Sequence, residues 1–467
     1  MKLDFEPEKY VIYDSSSIRD ALGKIQKNTC GMVCIASKDD KIIAIATDGD
    51  IRQGLLKGLK LEDSIAQCFN QDFIWANESD SRSKMLKYLD TGIQHLPILD
   101  KEKRLILIVN QETIVPRGEE GIYFRSRAPV RISFGGGGSD LTRYFLDNGG
   151  AVINAAVSIF SHATMRMLEG ENIIINSHDL GETFRAKNLN DALDKSNTPF
   201  SLILAVLRLV KPKYGFELNI HSDFPVGSGL GGSATLVAVV LGCFNQVRKD
   251  RWDQHELAEM AFQAERLTLG IAGGWQDQYA TIFGGVNFLE FGSEENLIHP
   301  IRLHSNTLLE LEESLILCDT GLAHHSGDIH ISQRATMNSK EIRNNVRKNV
   351  ELTYKIRNLL LGGRLRDFGI ALDETWRLKK TFSNMISNSY LDEIYQGAID
   401  NGALGGKILG AGGGGFFLFY VPPFKKVRLL AYLKERGLGV RHFCFEEYGL
   451  QTWTARFREN NKKRTLN

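Results

Sequence analysis

The sequence predicts an α+β protein in two parts. A glycine-poor, internally repeated α/β segment over residues 1–118 precedes a larger glycine-rich segment that runs to residue 467. Three observations predict this. A helix–strand–turn–strand unit occurs twice before residue 118. Many of the 45 glycines are bunched beyond residue 122 in three clusters, FGGGGSD (134–140), PVGSGLGGSAT (225–235) and GGKILGAGGGGFF (405–417). The middle cluster also joins a strand-like run to a strongly helical one.

At 467 residues the chain exceeds what one hydrophobic core supports, so two or three domains are expected. Lys plus Arg number 57 against 56 for Asp plus Glu, a net charge of +1. A nucleic-acid or anionic-membrane binder would carry a basic excess, so neither partner is expected. No run of about 18 apolar residues is present, which excludes a membrane-spanning helix. MKLDFEPEKY at the N-terminus has early acids and no apolar stretch, so it does not read as a signal peptide. The six cysteines are scattered, and Cys30 and Cys34 have no second close pair to complete a zinc site. The expected location is the cytoplasm.

In the first part, SSSIRDALGKIQKN (15–28) has helical spacing at Ile18, Leu22 and Ile25. GMVCIAS (31–37), the turn KDDK and IIAIAT (42–47) then read as a hairpin. SDSRSKMLKYLDTG (79–92), HLPILD (95–100), the turn KEK and RLILIV (104–109) repeat the unit. IAIATDGDIRQGLLKG (43–58) and IQHLPILDKEKRLILIV (93–109) resemble a paired CBS module. The resemblance implies a regulatory nucleotide whose ribose is held by Thr47 and Asp50, and, since such pairs often associate, a homodimer. The second half reads VNQET there and lacks the pair, so one nucleotide site at most is implied. The other reading is a turn and helix cap, with Asp50 capping the helix that carries Leu55 and Leu56. PRGEEG (116–121) reads as a linker.

In the second part, FELNIHSD (216–223) is strand-like, and SATLVAVVLGCFNQV (233–247) places Leu236, Val239, Val240 and Phe244 on one helix side. Strand, glycine loop and helix N-terminus together make an anion site, because free N–H groups and the helix dipole favour a phosphate. Walker A fails for want of a lysine between Gly232 and Ser233. The dinucleotide fingerprint matches at Gly227, Gly229 and Gly232, yet no strand ending in an acid follows. Over 254–268, Ala258, Phe262, Glu265 and Leu269 share one helical stripe, so Glu265 must find a cation or a metal on an apolar face. In GIAGGWQDQYATIFGG (270–285), Asp277 is either a candidate base or the N-cap of the run from Tyr279 to Phe283.

RAPVRISFGGGGSDL (127–141), PVGSGLGGSAT and KILGAGGGGFF together resemble, in order, the three motifs of the GHMP small-molecule kinases. The resemblance implies a two-lobed α+β kinase, with an N-lobe like S5 domain 2 over 122–305 and a ferredoxin-like C-lobe over 306–467, preceded by the CBS pair. The cofactors implied are ATP and Mg²⁺. It implies that Pro225, Gly227, Ser228, Gly229, Leu230, Gly231, Gly232, Ser233 and Ala234 bind ATP and that Ser233 and Glu265 hold the metal. Asp277 is implied as the catalytic aspartate with Arg131 beside it. Arg127, Gly138, Ser139, Asp140, Gly274, Gly412, Gly413 and Gly414 are implied as substrate-binding. Three ordered motifs favour these roles over the bland ion pair and cap.

Within the family the spelling is closest to kinases acting at the anomeric hydroxyl of D-glycero-D-manno-heptose 7-phosphate. GGGGSDL, GIAGGWQDQYATIFGGVNF, LGGKILGAGGGGFF and DTGLAHHSGDIH (319–330) carry that likeness, which implies a small-molecule sugar phosphate as substrate. The product would feed synthesis of a nucleotide-activated heptose. A fucokinase- or galactokinase-like acceptor, a nucleotide-sensing CBS protein with a dead kinase domain, and an NAD-linked oxidoreductase are the alternatives. His324, His325 and His330 read as a loop, as phosphate contacts or as metal ligands. Lys379 and Lys380 read as a solvated helix face or as phosphate contacts.

Overall fold

The computed structural model describes residues 5–114, 121–195, 198–225, 227–322, 326–336 and 339–456. The chain divides into two compact units, residues 1–120 and 121–467. Among the described residues no helix is long and apolar enough to cross a membrane.

The first unit contains two copies of one motif. The first copy is β1 (Val11–Tyr13), α1 (Ile18–Asn28), β2 (Met32–Ala36), β3 (Ile42–Thr47) and α2 (Asp48–Leu56). The second is β4 (Ala76–Asn77), α3 (Arg82–Asp90), β5 (Leu96–Leu99) and β6 (Leu105–Val109). In each, the middle strand pairs in parallel with the strand before the helix and antiparallel with the strand after it. The repeat therefore has one more strand than the sequence reading gave it, because β1 and β4 are too short to show a period. A register irregularity falls at matching places, Ile35/Ala36 and Ile98/Leu99. Strand β2 is buried on both faces. Val33 and Ile35 meet the first copy's own helices, while Met32, Cys34 and Ala36 meet Leu99 and Leu105 of the second copy.

The second unit is built on two long antiparallel strands, β7 (Ile122–Gly135) and β8 (Gly150–Leu168), joined through α4 (Thr142–Asn148). Then follow β9 (Ile173–Ser177), β10 (Glu182–Ala186), α5 (Leu189–Asp194), α6 (Ser201–Val210), β11 (Gly215–Ser222) and α7 (Gly232–Val247). Next come α8 (Gln254–Phe262), α9 (Gln276–Phe283), β12 (Val286–Phe291) and β13 (Asn296–Pro300). Their sheet runs β10-β9-β11-β8-β12-β13, with β7 also paired to β8. The second lobe holds α10 (Ser305–Ser314), β14 (Leu315–Asp319), α11 (Ser326–Thr336), α12 (Lys340–Leu361), α13 (Leu365–Lys380) and α14 (Ser389–Asp400). It continues with β15 (Gly405–Ile408), β16 (Phe416–Tyr420), α15 (Pro423–Glu435) and β17 (Gly439–Arg441), whose sheet order is β15-β16-β14-β17. The last strand, β18 (Gln451–Arg456), returns to pair with β7. Residues 451–456 thus sit in the first lobe's sheet, although the sequence groups them with 306–467.

Strand β7 changes the core it faces. Ala128 packs in the cluster around α7, whereas Val130, Ile132 and Phe134 pack with Phe368, Leu372 and Leu418 of the second lobe. The switch falls at a register irregularity between Pro129 and Val130. Such an irregularity re-aims the side chains beyond it.

Candidate active site

A cavity of about 690 Å³ is lined by residues of both lobes, and the three glycine clusters converge on it. In the middle cluster Gly227, Gly229 and Gly231 all have φ between 74° and 85°. This left-handed region favours glycine and turns successive N–H groups toward one side. Helix α7 starts at Gly232 with no side-chain hydrogen bond at its N-cap Gly231. Its first N–H groups are thus left to the cavity, where an anion is favoured. Gly227, Ser228, Gly229, Gly231, Gly232 and Ser233 line the cavity, and so does Phe224. Leu230, expected with them, packs into the apolar cluster shared with the second lobe. Pro225 and Ala234 are also absent from the lining, since Ala234 is already buried in α7.

Asp277 faces this loop from the first turn of α9. The N-cap there is Trp275, so Asp277 does not cap the helix. Its carboxylate pairs instead with Arg131, Nη2 to Oδ1 at 2.7 Å, with the two side chains 3% and 19% exposed. Arg131 also donates from Nη1 to the carbonyl of Gly229 at 2.8 Å, tying the pair to the glycine loop. A Cβ on Gly231 would lie 3.4 Å from Asp277 Oδ2, so the aspartate stands directly over the loop.

Asp140 is buried behind this pair, accepting from the backbone N–H of Gly138 at 3.0 Å and of Gln276 at 3.3 Å. Burial, and then the charge of Asp277, push its carboxyl above the usual carboxylate range. Gly274 leaves room for Asp140, because a Cβ there would come within 1.9 Å of Asp140 Oδ2 and the carboxylate would have to shift. Gly138, Asp140 and Gly274 line the cavity. Ser139 does not. Its hydroxyl, with one proton to donate, lies 2.8 Å from the Gly136 carbonyl and 3.0 Å from that of Ala151 and accepts from the Ala151 N–H, which staples the turn.

Glu265 sits where the helix of 254–268 was expected to continue. The α-helix stops at Phe262, and residues 263–268 form a wider π turn, a distortion common at functional sites. Its carboxylate is fully buried and accepts from Ser233 Oγ and, at 2.7 Å, from Gln278 Nε2. It also pairs with Arg266 at 3.1 Å. The arginine and the hydroxyl partner are therefore both real. An acid and a hydroxyl beside a phosphate loop form the donor set that Mg²⁺ accepts alongside phosphate oxygens and water.

Other expected residues lie elsewhere. Arg127 donates to Gln451 Oε1 at 2.6 Å and stacks on Phe160, away from the cavity. It is four residues from Arg131, yet the irregularity at Pro129/Val130 sets them on different sides. In the third cluster the cavity is lined by Gly410 and Ala411. Gly412, Gly413 and Gly414 pack against Ile386 and Leu322, and Gly413 N–H donates to the Ile386 carbonyl at 2.8 Å. His324, His325 and the His330 side chain fall outside the described residues, among which no three metal-ligating side chains gather.

Lys379 is the residue that sequence reasoning undervalued. It is 4% exposed and lines the cavity, while Lys380 turns outward to Asp392. Gln276, Gln333 and Arg266 also line the cavity, and nothing in their sequence context marks them.

In the first unit, Thr47 is the N-cap of α2 and Asp50 the third residue of that helix, bonded in a reciprocal capping box. Asn110 and Thr113 make the mirrored arrangement after β6, where the sequence shows no such pair.

Phosphoryl transfer needs positioning and charge neutralisation and little covalent work. A helix-end glycine loop faced by an arginine-held aspartate supplies both, which defines the class as a small-molecule phosphotransferase. The GHMP kinases N terminal domain family matches residues 201–285, and the GHMP kinases C terminal family residues 355–437. A Campylobacter jejuni protein named D-glycero-alpha-D-manno-heptose 7-phosphate kinase is 35% identical over 335 residues, covering 70% of this chain and 98% of that protein. A solved Campylobacter jejuni structure described as a sugar kinase is 32% identical with a TM-score of 0.59, over 71% of this chain and 98% of that one. The structure of a D-glycero-D-manno-heptose 1-phosphate kinase from Bacteroides thetaiotaomicron is 27% identical with a TM-score of 0.58, over the same shares. The chain belongs to the GHMP kinase family. It is a kinase, and ATP is the donor that this family uses.

Proposed function

We propose that the chain is an ATP-dependent sugar kinase acting on the anomeric hydroxyl of D-glycero-D-manno-heptose 7-phosphate. The product is the 1,7-bisphosphate, for synthesis of a nucleotide-activated heptose. The observation that carries this is the Arg131–Asp277 pair standing over the glycine loop, in a chain 35% identical to a heptose 7-phosphate kinase. The loop 227–233 and the start of α7 hold the ATP phosphates. Asp277 accepts a hydrogen bond from the acceptor hydroxyl and takes its proton, while Arg131 keeps the aspartate aimed. Asp140, with Gly138 and Gly274, faces the sugar hydroxyls. Ser233 and Glu265 would hold Mg²⁺, which when bound neutralises phosphate charge.

By the same reading residues 122–305 form the ATP lobe and 306–467 the second lobe, with β18 lent back to the first. The repeated first unit acts as a CBS-type regulatory pair that takes a nucleotide ribose at Thr47 and Asp50 and supports a homodimer. In support, the Thr47–Asp50 capping box and the similarly bonded Asn110–Thr113 turn stand at matching ends of the two hairpins. A cytoplasmic location fits an ATP-consuming sugar kinase.

The test is ADP release from Mg-ATP against a panel of acceptors. It holds the 7-phosphate and 1-phosphate of D-glycero-D-manno-heptose, because the relatives' names differ on the phosphate, with sedoheptulose 7-phosphate, mannose, galactose and L-fucose. Turnover on the heptose 7-phosphate alone is the expected result. Preference for a free sugar such as L-fucose would overturn the acceptor assignment.

A further inference from the structure

Lys379 carries a charge that the protein itself does not answer. It projects from the last turn of α13, is 4% exposed and lines the cavity. An ammonium has three N–H donors. Among the described residues this one meets a single acceptor, the carbonyl of Gly410, and no carboxylate within ion-pair distance. A buried cation in that condition is costly unless an anion joins it.

The position of Gly410 says which anion. A Cβ on Gly410 would lie 2.6 Å from the carbonyl oxygen of Gly229, so the third glycine cluster touches the second there. That same Gly229 oxygen accepts from Arg131, the partner of Asp277. The ammonium is therefore fixed where the phosphate loop, the aspartate and the second lobe meet. Lys407 is a useful contrast, for it is equally buried yet donates to Ser133 at 2.9 Å and does not line the cavity.

We infer that Lys379 is a catalytic residue whose ammonium hydrogen-bonds the non-bridging oxygens of the phosphoryl group in transfer. This rests on loop 227–233 being the phosphate loop. In the step, the bond from the γ-phosphorus to its β-bridging oxygen breaks and the acceptor oxygen bonds to phosphorus. The acceptor proton passes to Asp277, and ADP leaves. Lys379 keeps its proton throughout and offers charge where the three equatorial oxygens gather it.

Its surroundings add a pH signature. Burial, then the charge of Arg131, lower its pKa from 10.5 to about 8, against the opposing pull of Asp140 and Asp277. Lys407 also faces it from β15. Its own helix carries Asp373, Glu374, Arg377 and Lys380. The charged form predominates below that value, so kcat/KM falls as pH rises through about 8.

The experiment uses the full chain with Mg-ATP and the acceptor that the wild type turns over, comparing Lys379→Met and Lys379→Arg. Lys379→Met should lose about 10²–10³-fold in kcat, as for loss of one preorganised charge-stabilising donor, with little change in the acceptor KM. Lys379→Arg should recover part of the rate and lose the fall above pH 8, since a guanidinium stays charged. A raised acceptor KM with unchanged kcat would assign the lysine to the acceptor's own phosphate and overturn the inference. So would an unchanged kcat. If Lys379→Met does not fold, the pH profile of Lys379→Arg decides, and a profile like wild type counts against the inference. A wild type silent on every acceptor would contradict the acceptor assignment alone; ADP release from Mg-ATP without acceptor is then compared, and a Lys379→Met rate equal to wild type counts against the inference.

Discussion

Arg131 and Asp277 are 146 residues apart in sequence and 2.7 Å apart in space, one on the long strand β7 and the other in the first turn of α9. The pair joins the scaffold of the first lobe to the cavity. It holds the aspartate's carboxylate in place, and it ties that aspartate to the glycine loop through Gly229.

Asp277→Asn keeps the size and most of the contacts of the side chain but removes the proton acceptor. Turnover should fall by roughly 10²–10⁴, the usual contribution of a positioned general base. KM for ATP should change little, because the glycine loop is untouched. Steady-state kinetics on both substrates check this; a near-normal rate would reduce Asp277 to an orienting role.

Glu265→Gln should raise the Mg²⁺ concentration needed for half-maximal rate by roughly tenfold or more, since such a site relies on one or two carboxylates. The buried Arg266 also loses its charged partner, so a lower melting temperature is expected with it. A Mg²⁺ titration at saturating ATP reads the first effect and a thermal melt the second.

Gly274→Ala would push a methyl group into Asp140. Overpacking of this kind costs about 1–3 kcal/mol. Because Asp140 faces the cavity, the acceptor KM should rise more than the KM for ATP. Equal rises in both would say that Asp140 does not touch the acceptor.

Lys379→Met should raise the melting temperature at pH 7. A lysine held at about 8 in the fold and 10.5 in the unfolded chain destabilises the fold fully below pH 8. The native state releases its proton first, so that cost, on the order of a few kcal/mol, shrinks as pH rises from about 8 to 10.5. The melting-temperature gap between variant and wild type should narrow across that window.

Asp50→Ala removes the third-residue half of a capping box and, as the loss of one hydrogen bond, should cost about 1 kcal/mol in the first unit. If Thr47 and Asp50 also hold a ribose, an adenine nucleotide that alters the wild-type rate should no longer do so in the variant. An unchanged nucleotide response would leave the pair as a helix cap alone.

Much of this site is written locally. Glycine loops, an acid after Gly273–Gly274 and an acid on an apolar stripe are visible because each departs from what a helix or strand tolerates. What stayed hidden depends on facing. Lys379 and Lys380 look alike in sequence, yet successive helical residues point about 100° apart, and one entered the cavity while the other met Asp392. Arg127 and Arg131 share a parity that the irregularity beside Pro129 reverses. The π turn at 263–268 has no residue signature, and the mirrored Asn110–Thr113 pair is seen only once its hydrogen bonds are drawn.

The most direct measurement is a proton-coupled ³¹P NMR spectrum of Mg-ATP and D-glycero-D-manno-heptose 7-phosphate after incubation with the full chain. The account predicts loss of the γ-phosphate signal, appearance of ADP, and a new phosphate resonance split into a doublet by the anomeric proton. A new resonance coupled to a different carbon's proton, or ATP left intact beside unaltered heptose phosphate, would contradict it.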